Sequence, residues 1–196
     1  MSELPKHLGG HLNKTHVDRG SLEILKRRFD IKSMLDIGCG PGDMYNIAKD
    51  LDIKWYGIDG DFLFKRDNEI SKQTAIHDFS KGICYSYAYI TQIDGTTWKE
   101  FDLAWSVEFL EHVEERYVSN FMAAFKQCKY VIATAAPPGW PGHHHVNCRD
   151  QEYWKGVFAA NGFEYDETIT KLVKENSTMV KPFMQKNGMF FRRYND

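Results

Sequence analysis

The sequence lacks the features that mark a membrane, secreted or nucleic-acid-coating protein. No stretch approaches the roughly 20 apolar residues that span a bilayer. The opening Met1-Ser2-Glu3-Leu4-Pro5-Lys6-His7 has no apolar run of the kind a signal peptide needs. Cysteine is sparse: the four residues Cys39, Cys84, Cys128 and Cys148 lie far apart and form no C-x-x-C pair. That spacing argues against a disulfide framework and predicts free thiols in a reducing cytoplasm. Basic residues are not in excess, with 25 Lys and Arg against 27 Asp and Glu for a net charge of −2. Apart from short pairs such as Arg27-Arg28 and Arg192-Arg193 they are scattered, so no basic stripe offers itself to a phosphate backbone. Repeats, low-complexity tracts and long linkers are absent too. What is present is 196 residues, 42% hydrophobic and 27% charged, the composition of an ordinary globular domain with a sizeable core.

The patterning alternates strand and helix. Ser21 is expected to cap a helix carrying Leu22, Leu25 and Phe29 on one face. Ser33–Gly38 reads as a short buried strand, and Gly42 to about Asp50 as a helix opened by Pro41 and the acidic Asp43. Further strands are predicted at Ile53–Asp59, Thr74–Phe79, Phe101–Val107 and Lys129–Ala135. A helix runs through Phe121, Ala124 and Phe125, and another over Gln151–Asn161. Strands near Phe163–Thr170 and Met189–Tyr194, with no long helix between them, complete the set. The expectation is an α/β fold: a doubly wound, Rossmann-like, seven-stranded, mostly parallel sheet with helices on both faces and an antiparallel strand at one edge.

Such sheets bind ligands beyond the carboxyl ends of their strands, where the strongest motifs fall. Asp36-Ile37-Gly38-Cys39-Gly40-Pro41-Gly42 joins a predicted strand to a predicted helix, and its glycines let backbone turn and approach a ligand closely. Asp59 ends the next strand, placed to accept ribose hydroxyls. Asp78 and Phe79 end the third, where a carboxylate and a ring could bracket an adenine. Each alone reads as readily as a turn or a surface Asp; the three in register point to an adenosyl ligand. A pyrophosphate wants backbone N–H groups and no nearby anion. Asp36, two residues ahead of Gly38, would repel it, yet suits the amino group and sulfonium of S-adenosylmethionine.

These segments resemble the successive cofactor motifs of class I S-adenosylmethionine-dependent methyltransferases. The resemblance is carried by Met34–Gly42, Tyr56–Asp59, His77–Phe79 and Phe101–Val113, and covers roughly Ser33 to Phe163. It is nearest to the small-molecule, type 11-like branch, which the Gly142…His145-Val146-Asn147 run also resembles. The run Leu8–His16 is similar to short stand-alone methyltransferases of tailed bacteriophages, which would place the protein in a host cytoplasm. The resemblance implies S-adenosyl-L-methionine as cofactor, held by Asp36, Gly38, Gly40 and Gly42 around the methionine moiety, Asp59 at the ribose, and Asp78 and Phe79 at the adenine. Ser106, with Val107, matches the strand end beneath the transferable methyl. Two departures stand out. Gly60 replaces the usual bulky residue after the ribose acid, so Phe62 is expected to pack the adenine instead. The alternation of Tyr85, Tyr87 and Tyr89 suggests an extra strand or irregular insert in place of a crossover helix.

The acceptor side is less marked. Methyl transfer needs in-line positioning, and a base only where the acceptor must lose a proton. His145, aligned with the family's histidine, is the first candidate and His16 the second; for each, a loop histidine shaping the pocket is the plainer alternative. In the His143-His144-His145 run only His143 and His145 could ligate together on extended chain, with His11 or His16 as a third; no metal is assigned. Glu108, Glu111 and His112 are explained by the family likeness without a catalytic role. Ala136-Pro137-Pro138-Gly139 follows the fifth strand and lacks the Asn or Asp of amino-methylating nucleic-acid enzymes. The domains expected are a cap over residues 1–30 and a methyltransferase domain over 31–196. The function expected is methyl transfer to O or N of a small-molecule acceptor, without membrane or nucleic-acid partner. A macromolecular methyltransferase, a non-catalytic adenosyl-binding module and a nicotinamide oxidoreductase are the competing readings.

Overall fold

The computed structural model describes residues 3–84 and 100–194. The chain opens with an irregular stretch and then forms α1 (Arg19–Phe29), β1 (Ser33–Ile37), α2 (Met44–Asp50), β2 (Lys54–Asp59), α3 (Asn68–Lys72) and β3 (Thr74–Ile76). It continues with β4 (Phe101–Ser106), α4 (Val118–Phe125), β5 (Cys128–Ala133), α5 (Gln151–Ala160), β6 (Phe163–Tyr165), α6 (Glu167–Asn176), α7 (Phe183–Asn187) and β7 (Met189–Arg193). The strands make one seven-stranded sheet in the order β3-β2-β1-β4-β5-β7-β6. The first five are parallel, and β7 runs antiparallel to β5 and to the edge strand β6. The expected α/β sheet is therefore present with its antiparallel addition at one edge.

Successive strand residues point to opposite faces, and each face buries its own apolar layer. Leu35, Ile37, Phe101, Val131 and Phe191 pack with Phe121 and Phe125 of α4 and Trp154 and Phe158 of α5. Met34, Trp55, Trp105, Ile132 and Phe190 pack on the other face with Leu22 and Leu25 of α1 and Ile169 and Val173 of α6. Coverage on both faces explains why β1 is buried at every position.

Two local expectations are corrected. The cap of α1 is Asp18, whose carboxylate accepts the Ser21 amide at 3.1 Å, and Ser21 lies inside the helix. The stretch 166–170 is not strand: after β6 the chain enters α6, capped by Asp166 accepting the Ile169 amide at 2.8 Å. The β-branched run Thr168-Ile169-Thr170 suggested a strand, but Ile169 and Val173, four apart, share the buried face of a helix. Two helices, α6 and α7, thus separate the last two strands. The tyrosines Tyr85, Tyr87 and Tyr89 lie outside the described residues. Within the 1–30 segment, α1 packs into the sheet's core, whereas residues 7–11 and 14–16 line a cleft at the strand ends. No helix among the described residues is long and apolar enough to cross a membrane.

Candidate active site

Strands β1, β2 and β4 end side by side, with Asp36 paired to Gly57 on one flank and to Trp105 on the other. Beyond β1 the backbone reverses at Gly38 (φ +76°), and the Gly38 and Cys39 amides both donate to the Ile58 carbonyl. A Cβ at Gly38 would come within 2.5 Å of the Phe109 ring, so both the left-handed φ and the close approach require glycine there. The bend opens on a cleft of about 370 Å³, a size suited to a small organic ligand.

Asp36 and Asp59 both line this cleft. Asp36 is 3% exposed, and its carboxylate accepts the Trp55 indole N–H at 3.0 Å. Burial pushes its pKa up to about 7; the Trp55 bond opposes the rise and the Asp59 charge adds to it. A cation entering the cleft would relieve that penalty. Asp59 accepts the Gly40 amide at 2.8 Å and the Asp61 amide at 2.8 Å, and pairs with the Arg66 guanidinium at 3.0 Å. Arg66 also donates to the Gly40 carbonyl at 2.8 Å, latching the glycine bend to the tip of β2. Asp61 and Arg66 went unnoticed in the sequence. The Asp61-x-Leu63 turn, in which Asp61 accepts the Leu63 and Phe64 amides, was the available signal.

At the third strand end, Asp78 and Phe79 both reach the cleft wall. Burial alone would raise the Asp78 pKa, but bonds from His7 and from Ser80 hold it below the usual carboxylate value. Phe79 is buried edge-on against Phe109. The expected role of Phe62 is corrected: it is 47% exposed and is not among the cleft-lining residues. Leu8 takes the space instead, its Cδ2 lying 2.3 Å from where a Gly60 Cβ would stand. The glycine after the ribose acid therefore makes room for the N-terminal segment. That segment is fastened at several points. His7 meets Asp78 at 2.9 Å, His11 meets Asp61 at 3.1 Å, and the His143 ring meets the Lys6 carbonyl at 2.9 Å.

The acceptor side is built by β4 and the turn after it. Ser106 is fully buried and donates to the Ile37 carbonyl at 3.0 Å, while Val107 and Glu108 form the cleft wall. Glu108 takes φ +53°, an uncommon conformation for a residue with a side chain, and Thr134 donates to its carboxylate at 3.0 Å. His16 lines the cleft, edge-on to Phe183 at 4.8 Å. Burial, then the Lys181 and Lys14 charges, hold its pKa below the usual histidine value. His145 stands behind the wall with its ring 5.0 Å from that of His112, which does line the cleft. Glu111 is fully buried beside them. Sequence reasoning set Glu108, Glu111 and His112 aside; the E-x-x-E-H spacing was the signal that could have joined them to His145. Cys39 and Cys128 are buried, and that burial raises both thiols far above the ordinary range, as inert core cysteines require.

No protein-family model and no curated protein sequence matches the chain. Solved structures do. A TehB-like S-adenosylmethionine-dependent methyltransferase from Corynebacterium glutamicum superimposes with a TM-score of 0.58 at 14% identity, over 89% of this chain and 87% of its own. A Burkholderia thailandensis 1,6-didemethyltoxoflavin-N1-methyltransferase, with bound 1,6-didemethyltoxoflavin and S-adenosylhomocysteine, gives 0.57 at 12% identity over 88% and 76%. The [4+2]-cyclase SpnF gives 0.55 at 15% identity over 87% and 78%. The last shows that the architecture alone does not fix the reaction. What these likenesses establish is the fold, and this chain has the fold of the class I S-adenosylmethionine-dependent methyltransferases.

Proposed function

We propose that the protein is an S-adenosylmethionine-dependent methyltransferase acting on O or N of a small-molecule acceptor and releasing S-adenosylhomocysteine. The observation that carries this reading is the pair Asp36 and Asp59, on adjacent strand tips, facing one cleft across a glycine bend. The cleft fits the methyl donor. Asp36 lacks the cation that would offset its burial, and Asp59 keeps a lone pair for a ribose hydroxyl beyond its three present partners. The donor, when bound, supplies a methyl group on a positively charged sulfur.

The residues around it divide the remaining work. Asp36 would meet the amino group, the Gly38–Gly40 backbone the methionine moiety, Asp59 the ribose, and Asp78 and Phe79 the adenine; Gly42, packed against Ile70 and Trp55, is not among the cleft-lining residues. Val107 and Glu108, next to Ser106, would face the acceptor. The lowered pKa of His16 keeps its ring neutral and able to take a proton from a hydroxyl or ammonium acceptor. Residues 7–16 would act as the cap, excluding water and limiting acceptor size, which favours a small molecule over a polymer. The Burkholderia relative in fold, with its bound small acceptor, supports the same choice.

Calorimetry with S-adenosylmethionine, S-adenosylhomocysteine and NAD tests the cofactor. The first two should bind; binding of NAD alone would overturn the reading. Labelled donor incubated with fractionated cell extract tests the acceptor, and label appearing only on polymer would replace the small-molecule assignment.

A further inference from the structure

We propose that Glu111, His112 and His145, joined by Glu108, form a site for one divalent transition-metal ion at the acceptor end of the cleft. One ligand atom from each of Glu111, His112 and His145 lies within 4.8 Å of the others. Donors about 2.1 Å from a common ion stand roughly 3–4 Å apart, so side-chain adjustment alone would close the set. The turn that delivers His145 is tied to the same place, because the Val146 and Asn147 amides both donate to the Glu111 carbonyl at 3.0 Å.

The electrostatics call for a cation. Glu111 is 0% exposed; its carboxylate lies beside its own and the Ala136 backbone amides and beside Glu108, but neither oxygen closes a hydrogen bond of good geometry. A second carboxylate, Glu108, comes from the preceding turn and also lines the cleft, so two acids stand at this end of it. A cation placed between two such acids would offset their mutual repulsion. The histidines favour the metal. His112 Nδ1 is buried and closes no hydrogen bond of good geometry, with the His143 and His144 backbone beside the ring. His145 Nδ1 lies 2.9 Å from the Trp140 carbonyl, the outer hydrogen bond that typically orients a metal-binding imidazole. That bond leaves the Nε2 lone pair available. A Cβ on Gly142 would come within 2.0 Å of this nitrogen, so glycine is required there for the ring to occupy its place. The strained Glu108 backbone and the Thr134 bond fix the second carboxylate in place.

Two imidazoles with carboxylates suit a first-row transition ion better than magnesium or calcium. Because Glu108 and His112 also line the cleft, the ion's remaining positions face the acceptor. Resting on the methyltransferase reading above, an acceptor hydroxyl oxygen is the ligand class those positions would take.

The test uses the full chain stripped with chelator and titrated with cobalt(II), followed by calorimetry and by visible d–d absorption. One ion per chain is expected, with a raised thermal midpoint. Glu111→Gln and His145→Ala should each weaken binding by more than roughly 100-fold, beyond the usual loss for an outer-shell partner. His143→Ala should bind as the wild type does. A wild-type chain that takes up no cobalt overturns the site, and so does loss of binding in His143→Ala but not in His145→Ala, which would mark a surface histidine run. Should Glu111→Gln fail to fold, the His145→Ala and His143→Ala pair decides. Titration of the metal-free chain with S-adenosylmethionine tests the cleft independently. A protein that binds cobalt but not the methyl donor refutes the cofactor reading and leaves the metal site standing.

Discussion

Asp36 combines near-complete burial, a single indole donor and a nearby like charge. Its folded pKa of about 7 lies above the unfolded value of 3.8, so the folded chain holds the extra proton between those limits. The contribution of this residue to stability is therefore fully present below pH 4 and is lost as pH rises through about 7. A cationic ligand reverses the preference, since it favours the carboxylate. Affinity for S-adenosylmethionine should rise with pH from 6 to 8, with proton release on binding read by calorimetry in buffers of different ionisation enthalpy. Asp36→Asn should weaken binding by about tenfold or more, equivalent to about 1.4 kcal/mol, and abolish that dependence. A pH-independent wild-type affinity would show that Asp36 does not meet the ligand's charge. Gly38→Ala tests the bend. With φ +76° and the Phe109 ring in the way, it should cost about 1–3 kcal/mol in chemical denaturation. Donor binding should suffer with it.

Among the elements, α1 shows how a terminal helix is fixed to a distant one. The Asp18 carboxylate accepts from the Ser21 amide and hydroxyl, the Ser177 hydroxyl and the Thr178 amide, while remaining fully buried. It caps α1 and holds the chain just after α6 at once. Asp18→Ala should therefore cost more than an ordinary cap, about 2–4 kcal/mol by urea denaturation, whereas Asp18→Asn should recover part of the loss. A cost under 1 kcal/mol would show the hub to be slack. The same contrast between near and far partners explains what the sequence disclosed. The Asp36–Gly42 bend and Asp59 were legible because a strand's apolar run, a glycine series and an acid at the next strand end are all local signals. Strands β1 to β5 were legible for the same reason. The α6 helix was misread because the β-branched 168–170 stretch has strand propensity, and burial against Leu22 and Leu25 overrides it. Leu8 over Gly60, and His145 beside Glu111 and His112, join residues distant along the chain, and Arg66 reaches Asp59 across an irregular loop. No window of sequence contains the first two of these, and the Asp59–Arg66 pair, seven residues apart, lies within no single helix or strand whose period would have marked it.

At the scale of the molecule, two apolar layers make the sheet rigid, and the cleft sits where strand ends meet a segment with little apolar anchorage. Residues 7–11 and 14–16 line the cleft but contribute no residue to either buried core. Their attachment is mainly polar, through His7 to Asp78 and His11 to Asp61, so local opening should cost far less than global unfolding. A ligand in the cleft would touch this segment from beneath and shift the balance toward the closed form. Trypsin offers a direct measure, because Lys6 and Lys14 are exposed and flank the fastening histidines. Cleavage at these two sites should slow several-fold in saturating S-adenosylhomocysteine, while cleavage at Lys171 on the surface of α6 continues unchanged. Slowing at all three sites would indicate global stabilisation by mass action. Equal rates at Lys6 and Lys14 with and without ligand would mean that the segment does not close over the bound cofactor, and the small-acceptor argument would lose its roof.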